Sequence, residues 1–189
     1  MQYLIAGSAI HDVKLDPANI VAQGEMMVFE GPWALGAPVV ARLDEAAIGH
    51  IGAKMNGPAG YAVEGLAAPG AGEAFVVAAH RVHDPDGFRP YAEQVTAVVQ
   101  GFGGRFLARA GKVTPLGGSF VPQRAVIIEF PAAADAVAFY VSDVYAPLLK
   151  IRRATTDPRF VVLARAGRFP AEAVAVAESY LRRHPASSQ

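Results

Sequence analysis

The chain contains no cysteine. That excludes disulfides, a thiolate nucleophile and thiolate metal ligation, and it agrees with a reducing, cytoplasmic setting. An excess of either charge is also missing. Seventeen basic and 17 acidic side chains cancel, so bulk electrostatics draws the protein neither to nucleic acid nor to an anionic membrane. The longest basic cluster, Lys150-Ile151-Arg152-Arg153, is too short for a basic tract. No apolar run approaches the ~20 residues that cross a bilayer. The apolar segment 1–10 lacks the basic flank and small-residue cleavage site of a secretory leader. A soluble cytoplasmic protein is the expectation. Ala, Gly and Arg outnumber Lys and Asn, a usage that suggests a GC-rich bacterial genome.

What is present is apolar surface to bury. Hydrophobic residues make up 52% of the 189 and charged residues 18%, enough for a sizeable core. Residues 3–12 and 75–84 match in residue type at most positions and both end in His-Asp. Each stretch opens a series of four strand-like runs. The chain therefore reads as a duplication, with units at 1–68 and 74–166 and a C-terminal helix at 169–184.

The second unit carries strand signals at 75–82, 105–110, 124–130 and 159–164. Between the first two, Asp84 and Pro85 start a helix. Phe88, Tyr91, Val95, Val98, Val99 and Phe102 follow at steps of three and four, and Gly103-Gly104 end it. A second helix spans 132–142, 145–153 reads as a further turn or short helix, and 111–123 reads as a loop. The order is strand-helix-strand, strand-helix-strand, the ferredoxin-like pattern. The first unit shows the same order in shortened form. Its strands fall at 2–10, 25–30, 38–43 and 61–66, its first helix is reduced to a turn or two within 17–23, and Gly24 is matched with Gly104. Its second helix spans 44–55, capped by Asp44 and ended by Asn56-Gly57. Residues 67–73, with Pro69 among small residues, form the linker.

The second unit resembles the DUF1330 family of uncharacterised bacterial domains. The match is carried by His83-Asp84-Pro85, Tyr91, the run from Phe102 through Gly103-Gly104-Arg105-Phe106-Leu107-Ala108-Arg109 to Val113, and Glu129-Phe130-Pro131. It continues through Phe139-Tyr140, Ser142, Tyr145 and Arg152-Arg153 and covers about 75–165. The resemblance implies α+β architecture: ferredoxin-like units whose antiparallel sheets pair into an α+β barrel, either as a homodimer or as a pseudo-dimer within one chain. The first unit is more loosely similar to YCII-like relatives and lacks their helix-borne histidine and its aspartate partner. The family has no established activity, so the resemblance supplies fold and not function.

Several side chains could carry chemistry. Glu129 ends an apolar strand, either as a buried general base with a raised pKa or as a carboxylate paired with arginine. His80 is the second candidate base. His80 and His83 fall on opposite strand faces, which argues against a shared metal, and His11 matches His83 in the repeat. Arg109, Arg152 and Arg153 could hold an anion, and Arg105 and Arg109 are expected to share a strand face. Tyr91, Tyr140 and Tyr145 could point hydroxyls into a cleft, with Ser142 beside them. Each arginine and tyrosine also has a plain reading as a salt bridge or as core. The Gly101-to-Gly104 run follows a helix and precedes a strand, the reverse of a dinucleotide fingerprint. Trp33, the only tryptophan, either closes a pocket or covers the core.

These residues support a protein with no cofactor or metal that binds a small, mostly apolar molecule with an anionic or carbonyl group. Its expected ligand contacts are Tyr91, Arg109, Tyr140, Ser142, Tyr145 and Arg152. The alternatives are a cofactor-independent isomerase or monooxygenase using Glu129 or His80 as base, which rests on fold analogy, and a structural dimerisation module.

Overall fold

The computed structural model describes residues 1–7, 14–33, 35–36, 38–54, 60–117 and 122–185. The first half contributes β1 (Gln2–Ala6), a 3-10 turn (Pro17–Asn19), β2 (Ile20–Ala22), β3 (Met26–Glu30), β4 (Val39–Leu43), α1 (Glu45–Lys54) and β5 (Gly60–Glu64). The second half contributes β6 (Ala74–Val82), α2 (Pro85–Gly101), β7 (Arg105–Arg109), β8 (Val113–Pro115) and β9 (Arg124–Phe130). It closes with α3 (Ala133–Val141), α4 (Ala146–Thr155), β10 (Thr156–Ala164) and α5 (Ala171–Arg183). The chain is α+β, and no described helix is long and apolar enough to cross a membrane.

The strands form two antiparallel five-stranded sheets, ordered β2-β4-β1-β5-β8 and β3-β10-β6-β9-β7. Each sheet is completed by a strand from the other half. β3 pairs with β10, and β8 pairs with β5. Two close backbone approaches mark these crossings. A Cβ on Gly24 would lie 2.8 Å from the Ala166 backbone, and one on Gly111 would lie 2.7 Å from the Glu64 carbonyl oxygen. Gly24 and Gly111 each precede the strand that crosses to the other sheet, whereas Gly104, matched with Gly24 from sequence, precedes β7.

Strand alternation builds the layers. Phe75, Val77 and Ala79 on β6 face Tyr3 and Ile5 on β1, and with Ile127, Val161 and Leu163 they fill the space between the sheets. Ala74, Val76 and Ala78 face the other way, into a core with Phe88, Tyr91, Phe139 and Tyr145 of the helical layer. Both faces of β6 are buried, which is why its sequence is apolar almost throughout. α1 covers the outer face of the first sheet through Ile48 and Ile51. Its N-terminus is capped by Asp44, whose Oδ1 accepts from Ala47 N–H at 2.7 Å.

Most long elements lie within a residue or two of their sequence-read bounds, but β10 begins three residues before its read start, and the strand read as 2–10 is described as Gln2–Ala6, with 8–10 outside the described residues. β2 and β8 were unforeseen, because three residues carry no readable period; β8 lies in the stretch read as a loop. His11, the matching Asp12 and the helix-ending Asn56-Gly57 lie outside the described residues. Trp33 packs against the core between the sheets, and its Nε1 donates to Gly36 O at 2.8 Å.

Candidate functional site

A small cavity of about 40 Å3 lies between the helix-facing side of β6, β7 and β9 and the underside of α2. The sheet supplies Ala78 and His80 from β6, Val126 and Ile128 from β9, and Phe106 and Arg109 from β7. α2 supplies Phe88, Tyr91 and Val95. The helix presents that face because Asp84 caps it, accepting from Gly87 N–H at 3.0 Å. Its apolar residues then repeat along one side.

His80 is the buried polar group of this lining, 2% exposed. Its Nδ1 has no hydrogen-bond partner among the described residues. Burial first, then the charges of Arg152 and Arg124, hold its pKa well below the usual histidine value. The ring is therefore a neutral imidazole at physiological pH, and a nitrogen buried without a partner is costly unless a ligand or water meets it.

Behind the cavity wall is a second polar group. Arg152, on α4, is fully buried. It pairs with Glu30 of β3, which is 2% exposed, through Nη2. Its Nε and Nη1 have no partner among the described residues. The guanidinium lies 4.7 Å from the Phe160 ring centroid and 5.7 Å from that of Tyr145. Arg153 also bonds Glu30 and donates to the Tyr140 hydroxyl at 3.3 Å. The Tyr91 and Tyr145 hydroxyls are 3.5 Å apart. Burial pushes Tyr145 well above the ordinary tyrosine pKa and raises Tyr140 as well, so both hydroxyls stay protonated and can donate.

His80, Tyr91 and Arg109 are thus brought together on the cavity, with Tyr140, Tyr145 and Arg152 directly behind it. Two expected site residues lie elsewhere. Ser142 shapes the turn between α3 and α4: its Oγ donates to Phe139 O at 2.9 Å and accepts from Tyr145 N–H at 3.1 Å. Glu129 sits on the opposite face and at the opposite end of the sheet. It pairs with Phe75, five residues along β6 from His80, roughly 17 Å at the usual strand rise. Its carboxylate accepts from Gly70 N–H and Gly72 N–H and pairs with Arg105 and Arg165. A carboxylate so fully bonded clamps the linker between the halves, which is the arginine-paired reading of this residue. Nor do Arg105 and Arg109 share a face. A bulge between Phe106 and Ala108 puts Leu107 and Ala108 together between the sheets. Arg109 therefore turns to the helices while Arg105 reaches Glu129.

Sequence reasoning missed Arg124 and Glu30. Arg124 alternates with Val126 and Ile128 on β9 and so was legible by period; its guanidinium lies 5.3 Å from the Phe88 ring centroid at the cavity. Nothing local marks Glu30 as the partner of residues on α4. Among the described residues no cluster of three or more metal-ligating side chains occurs.

Comparison with curated proteins finds no match to the chain. Residues 73–166 match the family model described as Domain of unknown function (DUF1330). That stretch includes every residue lining the cavity. The segment from β6 to the end of β10 is accordingly a DUF1330 domain, to which the preceding half of the chain adds Glu30 and β3.

Proposed function

We propose that this protein binds a small, mostly apolar ligand bearing an anionic or carbonyl group in the cavity beneath α2. The observation that carries this reading is the unpartnered Nδ1 of His80 in a lining that is apolar apart from Tyr91, Arg109 and Arg124. The surrounding charge agrees with it: Arg109 and Arg124 line the cavity and, among the described residues, no carboxylate does. Ligand pockets combine apolar walls with a few convergent polar groups. At about 40 Å3 the cavity holds only a compact head group or water, so a larger ligand requires it to widen. The test is the melting temperature of the full chain with benzoate and with its neutral isostere benzamide, since a ligand of the native state raises it. Stabilisation by benzoate supports the proposal; no shift with either, together with no adduct in native mass spectrometry, removes it.

A second reading, a cofactor-independent isomerase, is favoured by the neutral state of His80 rather than by Glu129. A buried imidazole can take a proton from a carbon beside a carbonyl while a guanidinium stabilises the enolate oxygen, then return the proton to another carbon. The balance needs no oxidant. Deuterium incorporation at C3 of 2-oxobutanoate in D2O tests it, with loss of exchange in His80→Gln expected.

For the fold we read two ferredoxin-like units closed into a barrel within one chain. The strand order supports this. The second half runs β10-β6-β9-β7 and the first half β5-β1-β4-β2, each with its first strand between its third and fourth. The reciprocal exchange of β3 and β8 favours a pseudo-dimer over pairing between two chains. A monomeric mass in solution is the expected result.

A further inference from the structure

We propose that Arg109 is the gate of the cavity and selects anions there. Its guanidinium is latched to α2 in the closed form and is transferred to the ligand when the cavity fills. This inference rests on the ligand-binding reading and adds the residue that decides which ligands enter.

Arg109 lines the cavity and is half-buried. From β7 it reaches across to α2, where Nη1 donates to the Thr96 hydroxyl and Nη2 to the Ala92 carbonyl. These contacts tie the strand to the helix over the cavity. Both acceptors are neutral. The Ala92 carbonyl also occupies a mid-helix position, where the helix's own bond to residue 96 uses it. Among the described residues, no ion pair joins Arg109 to a carboxylate. The latch therefore holds a cation by bonds weaker than those an anion would give, because charge-assisted hydrogen bonds are roughly twice as strong as neutral ones.

The surroundings leave the side chain room to exchange partners. The guanidinium lies 4.9 Å from the Phe106 ring centroid, a flat apolar platform over which it can slide without losing its contact. Arg109 ends its strand. Ala110 follows with φ 55°, a left-handed conformation uncommon for a residue with a Cβ, and the chain then leaves for the other sheet. Arg124, resting on Phe88, is a second cation at the cavity. An approaching anion meets both, whereas a neutral molecule of the same shape supplies nothing to replace the two bonds that Arg109 gives up.

The experiment is isothermal titration calorimetry of the full chain with benzoate and benzamide, using wild type, Arg109→Gln, Arg109→Lys and Thr96→Val. Wild type is expected to bind benzoate at least tenfold more tightly than benzamide. Arg109→Gln should lower benzoate affinity tenfold or more while benzamide, no longer opposed by the latch, binds no more weakly than to wild type. Arg109→Lys should retain part of the preference, which separates loss of charge from loss of fold. Thr96→Val removes a latch acceptor and should strengthen benzoate binding severalfold, the opposite sign. An unchanged preference in Arg109→Gln, or weaker benzoate binding in Thr96→Val, overturns the gate while leaving the binding site standing. If wild type binds neither probe, the binding reading falls and takes the gate with it.

Discussion

Arg152 and Glu30 are 122 positions apart in the chain and bonded to each other in its interior. The arginine belongs to the DUF1330 domain and the glutamate does not. The counter-charge for the most deeply buried cation is therefore supplied by the first half of the chain, on the strand that it inserts into the second sheet.

Removing that counter-charge should be expensive. Breaking a buried pair on one side costs about 3–5 kcal/mol, because the remaining charge stays desolvated and unpaired. Glu30→Gln is expected to lower unfolding free energy by an amount in that range, read from urea denaturation. The double variant Glu30→Met with Arg152→Met should lose much less than the two single losses combined. A loss below about 1 kcal/mol in Glu30→Gln would mean that water already screens the Arg152 charge.

The same relationship predicts the behaviour of residues 73–166 alone. The fragment lacks Glu30 and exposes the edge of β10 that β3 normally covers. Unpaired edges seek another strand. Size-exclusion chromatography should show self-association or aggregation, and circular dichroism a lower melting temperature than that of the full chain. A stable monomeric fragment would show that β3 is dispensable.

Glu129 is predicted to matter for stability and not for the cavity. It grips the linker through Gly70 and Gly72, and a Cβ on Gly72 would lie 2.4 Å from Glu129 Cγ and 2.5 Å from the Phe130 carbonyl oxygen. Gly72→Ala should destabilise by about 1–3 kcal/mol through overpacking. Glu129→Gln should lower the melting temperature with benzoate binding unchanged in calorimetry. Abolished binding in a folded Glu129→Gln protein would reinstate it as a site residue.

His80 makes stability depend on pH. Its pKa in the native protein is lowered, by burial and then by Arg152 and Arg124, below the unfolded value of 6.5. Between those two values the unfolded chain binds a proton that the native chain does not, so stability rises with pH there. The contribution is complete above about pH 6.5 and is lost progressively as pH falls below it. Urea midpoints of wild type and His80→Gln, compared from pH 7.5 to 5, should diverge at the acid end, with the variant losing less. Parallel curves would mean that the native protein leaves the His80 pKa at its unfolded value.

The legible parts of this fold were those written in short-range periods. The 3–4 spacing from Phe88 to Val99 marked α2 and its buried face, and the branched apolar run of β6 marked a strand buried on both sides. Of the cavity's polar groups, His80 was legible as the polar interruption of the apolar β6 run, Tyr91 as a member of the α2 stripe and Arg109 as a charge at the end of β7. Ser142 and Glu129 were singled out by the same logic, yet one shapes a turn and the other grips a linker. A polar residue in an apolar run announces that it has a partner, and it does not say which.

Residue type and spacing alone determined the long elements, their order and the apolar side of most of them, because those follow from backbone geometry over a few neighbours. They also carried the similarity to one family over half the chain. Only the tertiary structure decided that a one-residue bulge in β7 separates Arg105 from Arg109, since a shift of one position in a strand exchanges its faces. It alone decided that Glu30 meets Arg152 and that His80 and Glu129 lie on opposite faces of one sheet. Those outcomes depend on how distant surfaces pack, and no local pattern in the chain encodes that.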